Sequence, residues 1–76
     1  MPRERSAVTV AFGTAVRALR RERGYTQETF AARAGIDRSY LGAIERGECS
    51  VSMGTILRLA AALEVTATEV LRRARL

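Results

Sequence analysis

The chain has no histidine and no lysine, and it carries a single cysteine and a single aspartate among 76 residues. Each absence removes a class of chemistry. Without histidine, and with one thiol, no group of side chains has the ligand spacing of a zinc site. A lone cysteine also rules out an internal disulfide. Cys49 has no imidazole to activate it, Asp37 has no second aspartate to work with, and no glycine-rich phosphate loop occurs. These gaps argue against an enzyme, a metal centre or any cofactor. No uncharged run is long enough to span a bilayer and no signal peptide opens the chain, so no membrane partner is expected. The unpaired thiol fits a reducing cytoplasm. No segment alternates at period two for long enough to form a strand, and no repeat, linker or low-complexity tract interrupts the sequence.

What remains is a small, basic, helix-forming chain. A single domain of this size buries only about 60% of its unfolded surface. Scaffolds below roughly 80 residues commonly gain stability from disulfides, metal or oligomerisation, and only the last is open here. The net charge is +5, and all 13 cationic side chains are arginine, giving a pI ≈ 11.0. Arginine's planar fork suits phosphates and guanine edges, although GC-rich coding produces the same bias. A basic balance suits nucleic acid or an anionic surface.

Punctuation residues divide the chain into five helices. Phe12, Val16 and Leu19 recur at i, i+4 and i+7, the stripe of a first helix from about Val8 to Arg23, which Gly24 ends. Thr26, Asp37, Ser52 and Thr66 are the expected N-caps of the next four. Gly35 and Gly47 fall just past the second and third. Thr66 with Glu69 has the spacing of a capping box. Tyr25 with Phe30, Ile36 with Leu41, Val51 with Ile56, and Val65 with Val70 have the spacing of hydrophobic staples at the same four starts. The expected core is Phe12, Val16, Leu19, Phe30, Ala31, Ala34, Leu41, Ile44, Met53, Ile56, Leu59, Ala60, Leu63, Val70 and Leu71. The fold class is all-α, a compact five-helix domain over residues 7–76 preceded by a flexible charged arm over 1–6.

One spacing is more specific. Ala31 falls four residues after Gln27, Gly35 four after that, Leu41 six further on and Ile44 three beyond. Two short helices crossing steeply need a small side chain at the crossing and a turn residue at ease with positive φ. The second helix must hide a narrow stripe, Leu41 and Ile44, while its opposite face stays polar. Asp37, Arg38, Ser39 and Tyr40 open that helix and Arg46 closes it. This is the pattern of a DNA-reading helix-turn-helix; the alternative is an ordinary helical hairpin of a small bundle, against which the polar residues around the stripe argue.

The stretch from Phe12 to Leu71 resembles the helix-turn-helix family of phage repressors, Cro proteins and XRE regulators. The resemblance rests on Arg17-Ala18-Leu19-Arg20, Gly24, Thr26-Gln27-Glu28, Ala31, Gly35, Ile44-Glu45-Arg46-Gly47, and Leu57, Ala60, Leu63 and Val65. Within the family, the run from Ile36 to Glu48 is most similar to controller proteins of restriction–modification systems. The resemblance implies a sequence-specific transcriptional regulator acting as a homodimer on an inverted repeat of double-stranded DNA. A phage-type repressor, an antitoxin regulating its own operon, and a protein-binding adaptor on the same scaffold are the rival readings. Three positions depart from the relatives: Cys49 replaces a polar or basic residue, Val51 a proline, and Ala67 a larger apolar residue.

The recognition helix places its N-terminal residues at base edges. Arg38 is the candidate for bidentate readout of guanine, the alternative being a phosphate clamp. Ser39 serves either a base or a phosphate. Asp37 is a helix cap or a cytosine acceptor, and Ala43 offers only a methyl to thymine. Gln27, at the start of the second helix, is the phosphate anchor that the resemblance implies. Tyr40 and Arg46 flank the reading helix and are expected to grip the backbone, although the Tyr40 ring also suits a half-buried core position. Arg33 is a weaker phosphate candidate or a solvated side chain. Glu28 either complements the helix N-terminus or forms an activation surface toward RNA polymerase. Arg20 and Glu45 match a semi-buried ion pair of the family. Val65, Thr68, Leu71 and Leu76 are the expected dimer contacts.

Overall fold

Ser6, Thr26, Asp37, Ser52 and Thr66 each accept a first-turn backbone N–H on a side-chain oxygen, and each starts a helix. In the computed structural model, which describes residues 6–76, these are α1 (Ala7–Glu22), α2 (Gln27–Ala34), α3 (Arg38–Glu45), α4 (Met53–Leu63) and α5 (Ala67–Arg73). No strand occurs among the described residues. The expected arm over 1–6 lies outside them, apart from Ser6. Two full capping boxes form, Ser6 with Thr9 and Thr26 with Thr29, the threonine hydroxyl reaching back to the cap N–H. At Thr66 only half of the expected box forms. Its hydroxyl takes the Glu69 N–H, while the Glu69 carboxylate turns to Arg72 at 3.0 Å.

The stripes converge on one core. Phe30, Leu41, Ile44, Leu59, Leu63, Val16 and Val70 are fully buried, each worth about 1.5–3 kcal/mol of transfer free energy as an upper estimate. Phe12, Leu19, Ala31, Ala34 and Ala60 join them as expected, along with Ala15, Ala62 and Ala74. Ile56 and Leu71 are only half-buried against this core. Met53 is a correction: it continues the α4 stripe by periodicity, yet it is 81% exposed. It is the first residue of α4, where the stripe runs beyond its cover. Tyr25 and Phe30 meet with ring centroids 5.8 Å apart, as their staple spacing predicts.

Backbone-to-backbone approach sets how α1 lies on α3. A Cβ at Gly13 would stand 2.1 Å from the Ile44 carbonyl oxygen and 2.8 Å from that of Glu45, so only glycine permits the crossing. The Thr9 hydroxyl donates to the Gly47 carbonyl at 2.8 Å, pinning the start of α1 to the end of α3. The turn between α2 and α3 is closed by Gly35 at φ 73°. There the Ile36 N–H reaches the Ala31 carbonyl at 3.0 Å, a left-handed stop that glycine adopts without penalty. Arg58 of α4 braces the same turn, donating to the Gly35 carbonyl at 3.2 Å.

Candidate nucleic-acid interface

α3 is buried along Leu41, Gly42, Ile44 and Glu45. Its other side leaves Arg38 and Ser39 exposed and Ala43 half-exposed. This division follows from the stripe: one side is committed to the core, so the other is available. Asp37 and Ser39 are brought together. The Asp37 carboxylate accepts the Ser39 N–H at 3.0 Å and makes a short hydrogen bond with the Ser39 hydroxyl. These bonds from Ser39, the hydroxyl first, hold the Asp37 carboxyl below its ordinary value. Asp37 is thus placed as the cap of α3, with its acceptor oxygen engaged locally.

Behind the exposed side lies a buried ion pair that fixes the helix. Arg20 Nε donates to Glu45 Oε2 at 2.7 Å and Nη2 to Oε1 at 3.0 Å. Its Nη1 donates to the Tyr25 carbonyl at 2.8 Å. Bidentate geometry and a third acceptor satisfy the guanidinium, the condition under which a buried pair is tolerated. Gln27 extends this group outward. Its Nε2 donates to Glu45 Oε1 at 3.0 Å, which turns its Oε1 toward the surface, where Arg38 Nη1 donates to it at 3.4 Å. The expected anchor and the expected reader are therefore neighbours. Glu28, next in sequence, stands exposed on the first turn of α2.

Arg46 folds back across α3, and a Cβ at Gly42 would lie 3.0 Å from its Nη1. Its Nε and Nη2 donate to the Glu48 carboxylate at 3.0 and 3.2 Å. That contact raises the already high Arg46 pKa further. Tyr40 is half-buried, packed against the core cluster. Arg33 is placed elsewhere. Its Nε donates to the Ala62 carbonyl and its Nη2 to Glu64, both at 2.8 Å, with the guanidinium 5.5 Å from the centre of the Tyr25 ring. Its structural role is to hold α2 against the end of α4. Sequence reasoning missed Thr14 and Arg17, which line one cleft with Gln27, Glu45, Arg46 and Glu48. Their spacing of three, off the α1 apolar stripe, was the available signal.

The expected dimer residues Leu71 and Val65 line different surface depressions. Leu71 lies beside Met53, Ile56, Leu57 and Ala67, and with Leu76 borders a second apolar depression that includes Val8 and Cys49. Thr68 is exposed, and Val65 faces another groove, with Leu19, Glu22 and Arg73. The apolar surface that sequence reasoning missed is Met53 and Leu57, 81% and 59% exposed on α4.

A short helix, a left-handed glycine stop, and a second short helix with one side locked and the other bare define a helix-turn-helix. Residues 16–70 match the family described as "Helix-turn-helix", and the chain belongs to it, a family of DNA-binding transcriptional regulators. Control protein C.MunI of Mycoplasma sp is 35% identical over 63 residues, 82% of this chain and 85% of that protein. The crystal structure of the restriction-modification controller protein C.AhdI from Aeromonas hydrophila is similar at a TM-score of 0.83 and 46% identity. It covers 86% of this chain and 98% of that one. The biofilm regulator SinR, solved in complex with DNA, is similar at a TM-score of 0.75 and 31% identity, covering 79% of this chain and 97% of that one. No helix among the described residues is long and apolar enough to cross a membrane.

Proposed function

We propose that this chain is a controller of a restriction–modification operon, binding an inverted-repeat operator as a homodimer in the cytoplasm. The observation that carries this reading is the bare side of α3, with Arg38 and Ser39 exposed at its start and Gln27 and Arg46 beside it. Arg38 reads a guanine edge, with Ser39 and Ala43 as lesser contacts. Asp37 fixes the helix start and thereby aims Arg38. Gln27, Arg46 and the Tyr40 hydroxyl hold phosphates on either side, and those contacts set register without reading sequence. Two copies joined through the apolar surface of α4 and α5 present two such helices to successive half-sites. The likeness to controller proteins at 35% and 46% identity supports the specific role.

The test is selection of bound duplexes from a random DNA pool. The reading expects an enriched motif with dyad symmetry, contracting to a half-site for a monomeric variant. Recovery of no enriched motif would favour the adaptor role on the same scaffold. Glu28 belongs to this reading as a surface toward RNA polymerase. In a promoter reporter, Glu28→Gln is expected to keep operator affinity and lose activation. Unchanged activation would remove Glu28 from that contact.

A further inference from the structure

We propose that the cleft between α1, α2 and the end of α3 is a seat for a DNA backbone phosphate, and that the Glu48 carboxylate there holds Arg46 until DNA draws the guanidinium away. The inference rests on the DNA-binding reading above and adds Thr14, Arg17 and Glu48 to it. The cleft has a volume of ≈ 510 Å³, and its polar lining is Thr14, Arg17, Gln27, Glu45, Arg46 and Glu48. Of its two carboxylates, Glu45 is turned onto Arg20, which satisfies both its oxygens at 2.7 and 3.0 Å. Among the lining residues, the charges not engaged with Arg20 are those of Arg17, Arg46 and Glu48.

The contact between Glu48 and Arg46 has the form of an arginine–phosphate contact. Two N–H groups of one guanidinium reach two oxygens of one anion, at 3.0 and 3.2 Å. Its two members differ in freedom. The Glu48 side chain is 16% exposed, whereas that of Arg46 is 58% exposed. Glu48 is also fixed at its backbone, its N–H donating to the Ala43 carbonyl at 3.0 Å. The carboxylate is thus the fixed partner and the guanidinium the one able to turn. A phosphodiester entering the cleft meets Arg17 and draws Arg46 away from Glu48. In turning, Arg46 gives up its two bonds to Glu48, and that loss weakens the net hold on the phosphate. Glu48 acts as a built-in competitor, lowering affinity for every sequence alike.

Binding to a random-sequence duplex tests this without knowledge of the operator, since such binding reports backbone contacts. Glu48→Gln is expected to tighten binding about three- to tenfold and to steepen the log–log salt slope by about one per protomer. Arg17→Ala is expected to weaken it by a similar factor. The decisive comparison is Glu48→Gln in an Arg46→Ala background, where the gain should vanish. An equal gain in both backgrounds would reduce Glu48 to general charge repulsion and overturn the seat. So would an Arg17→Ala variant that binds like the parent. Titration with inorganic phosphate, followed by NMR of the Arg46 Nε–H, should show no saturation. Saturation would make the cleft a free-anion site instead. A parent chain that binds no duplex at any salt concentration would remove the DNA-binding reading itself, an outcome distinct from all of these.

Discussion

Arg38 and Arg46 carry the same side chain in different surroundings, and they should fail differently when truncated. Arg38 Nη1 donates to Gln27 Oε1 at 3.4 Å, and the residue stands exposed at the start of α3, the position proposed above to reach base edges. Arg38→Ala is expected to cost about 1–3 kcal/mol on the selected site and to relax preference at one base pair. Arg46→Ala should weaken selected and random duplexes together, as loss of a phosphate contact does. Equal losses for Arg38→Ala on both duplexes, measured by fluorescence anisotropy, would return that residue to the phosphate set. Asp37 answers to pH. Its carboxyl is lowered in the folded chain, so between that value and 3.8 the unfolded chain holds a proton that the folded chain does not. The cap's contribution is therefore complete at neutral pH and is lost as pH falls through this window. Asp37→Asn keeps a capping oxygen without the titration. The melting-temperature difference between parent and variant should stay constant above about pH 5 and change below pH 4.

At the scale of helices, packing depends on positions with no side chain at all. Gly13→Ala would place a methyl 2.1 Å from a backbone oxygen of α3, a clash that no rotamer relieves. A loss of about 3 kcal/mol or more is expected. Gly54→Ala in α4 meets nothing nearer than the Ser52 hydroxyl at 3.8 Å and should gain about 0.5–1 kcal/mol from helix propensity. Urea denaturation of both variants checks the contrast, and a tolerated Gly13→Ala would contradict the packing of α1 on α3. The helix starts were legible in sequence because Thr26, Asp37, Ser52 and Thr66 act locally. The end of α4 was not, since Glu64 takes the left-handed conformation (φ 61°) without being glycine. The two true capping boxes were hidden because threonine, not glutamate, fills their third position. Gly13 carried no local signal, since its role depends on which helix crosses it. Arg38 and Arg46 were legible from the α3 stripe opposite them, and Gln27 from the family resemblance. Arg33 was not, because a long side chain goes where tertiary partners lie, here Ala62 and Glu64.

The whole molecule presents its charge and its exposed apolar area to different uses. Met53 and Leu57 stand 81% and 59% exposed, next to Ile56, Ala67 and Leu71, a grouping that a small domain rarely leaves in water. Sedimentation at tens of micromolar is expected to give a dimer, and Leu57→Glu a monomer with native circular dichroism. A parent chain sedimenting as a monomer, or a dimer indifferent to Leu57→Glu, would move the interface or abolish it. If each protomer neutralises about three to five phosphates, the salt slope of the dimer should lie near −5 to −9. The monomeric variant should keep roughly half of it.

The locked side of α3 has a consequence for how such a regulator changes over time. Leu41, Gly42, Ile44 and Glu45 are buried, and Gly13 is held to glycine by the backbone of α3 beside it. Arg38 and Ser39 lie outside that constraint, and Ala43 only partly within it. Under the proposed reading these three positions are the readers, and exchanging them is expected to leave the stability of the domain nearly untouched. Operator preference can drift through these positions while the fold stays fixed. Under that reading a lineage of such proteins can diverge into mutually indifferent regulators by very few substitutions, and exchange of positions 38, 39 and 43 is expected to shift the preference.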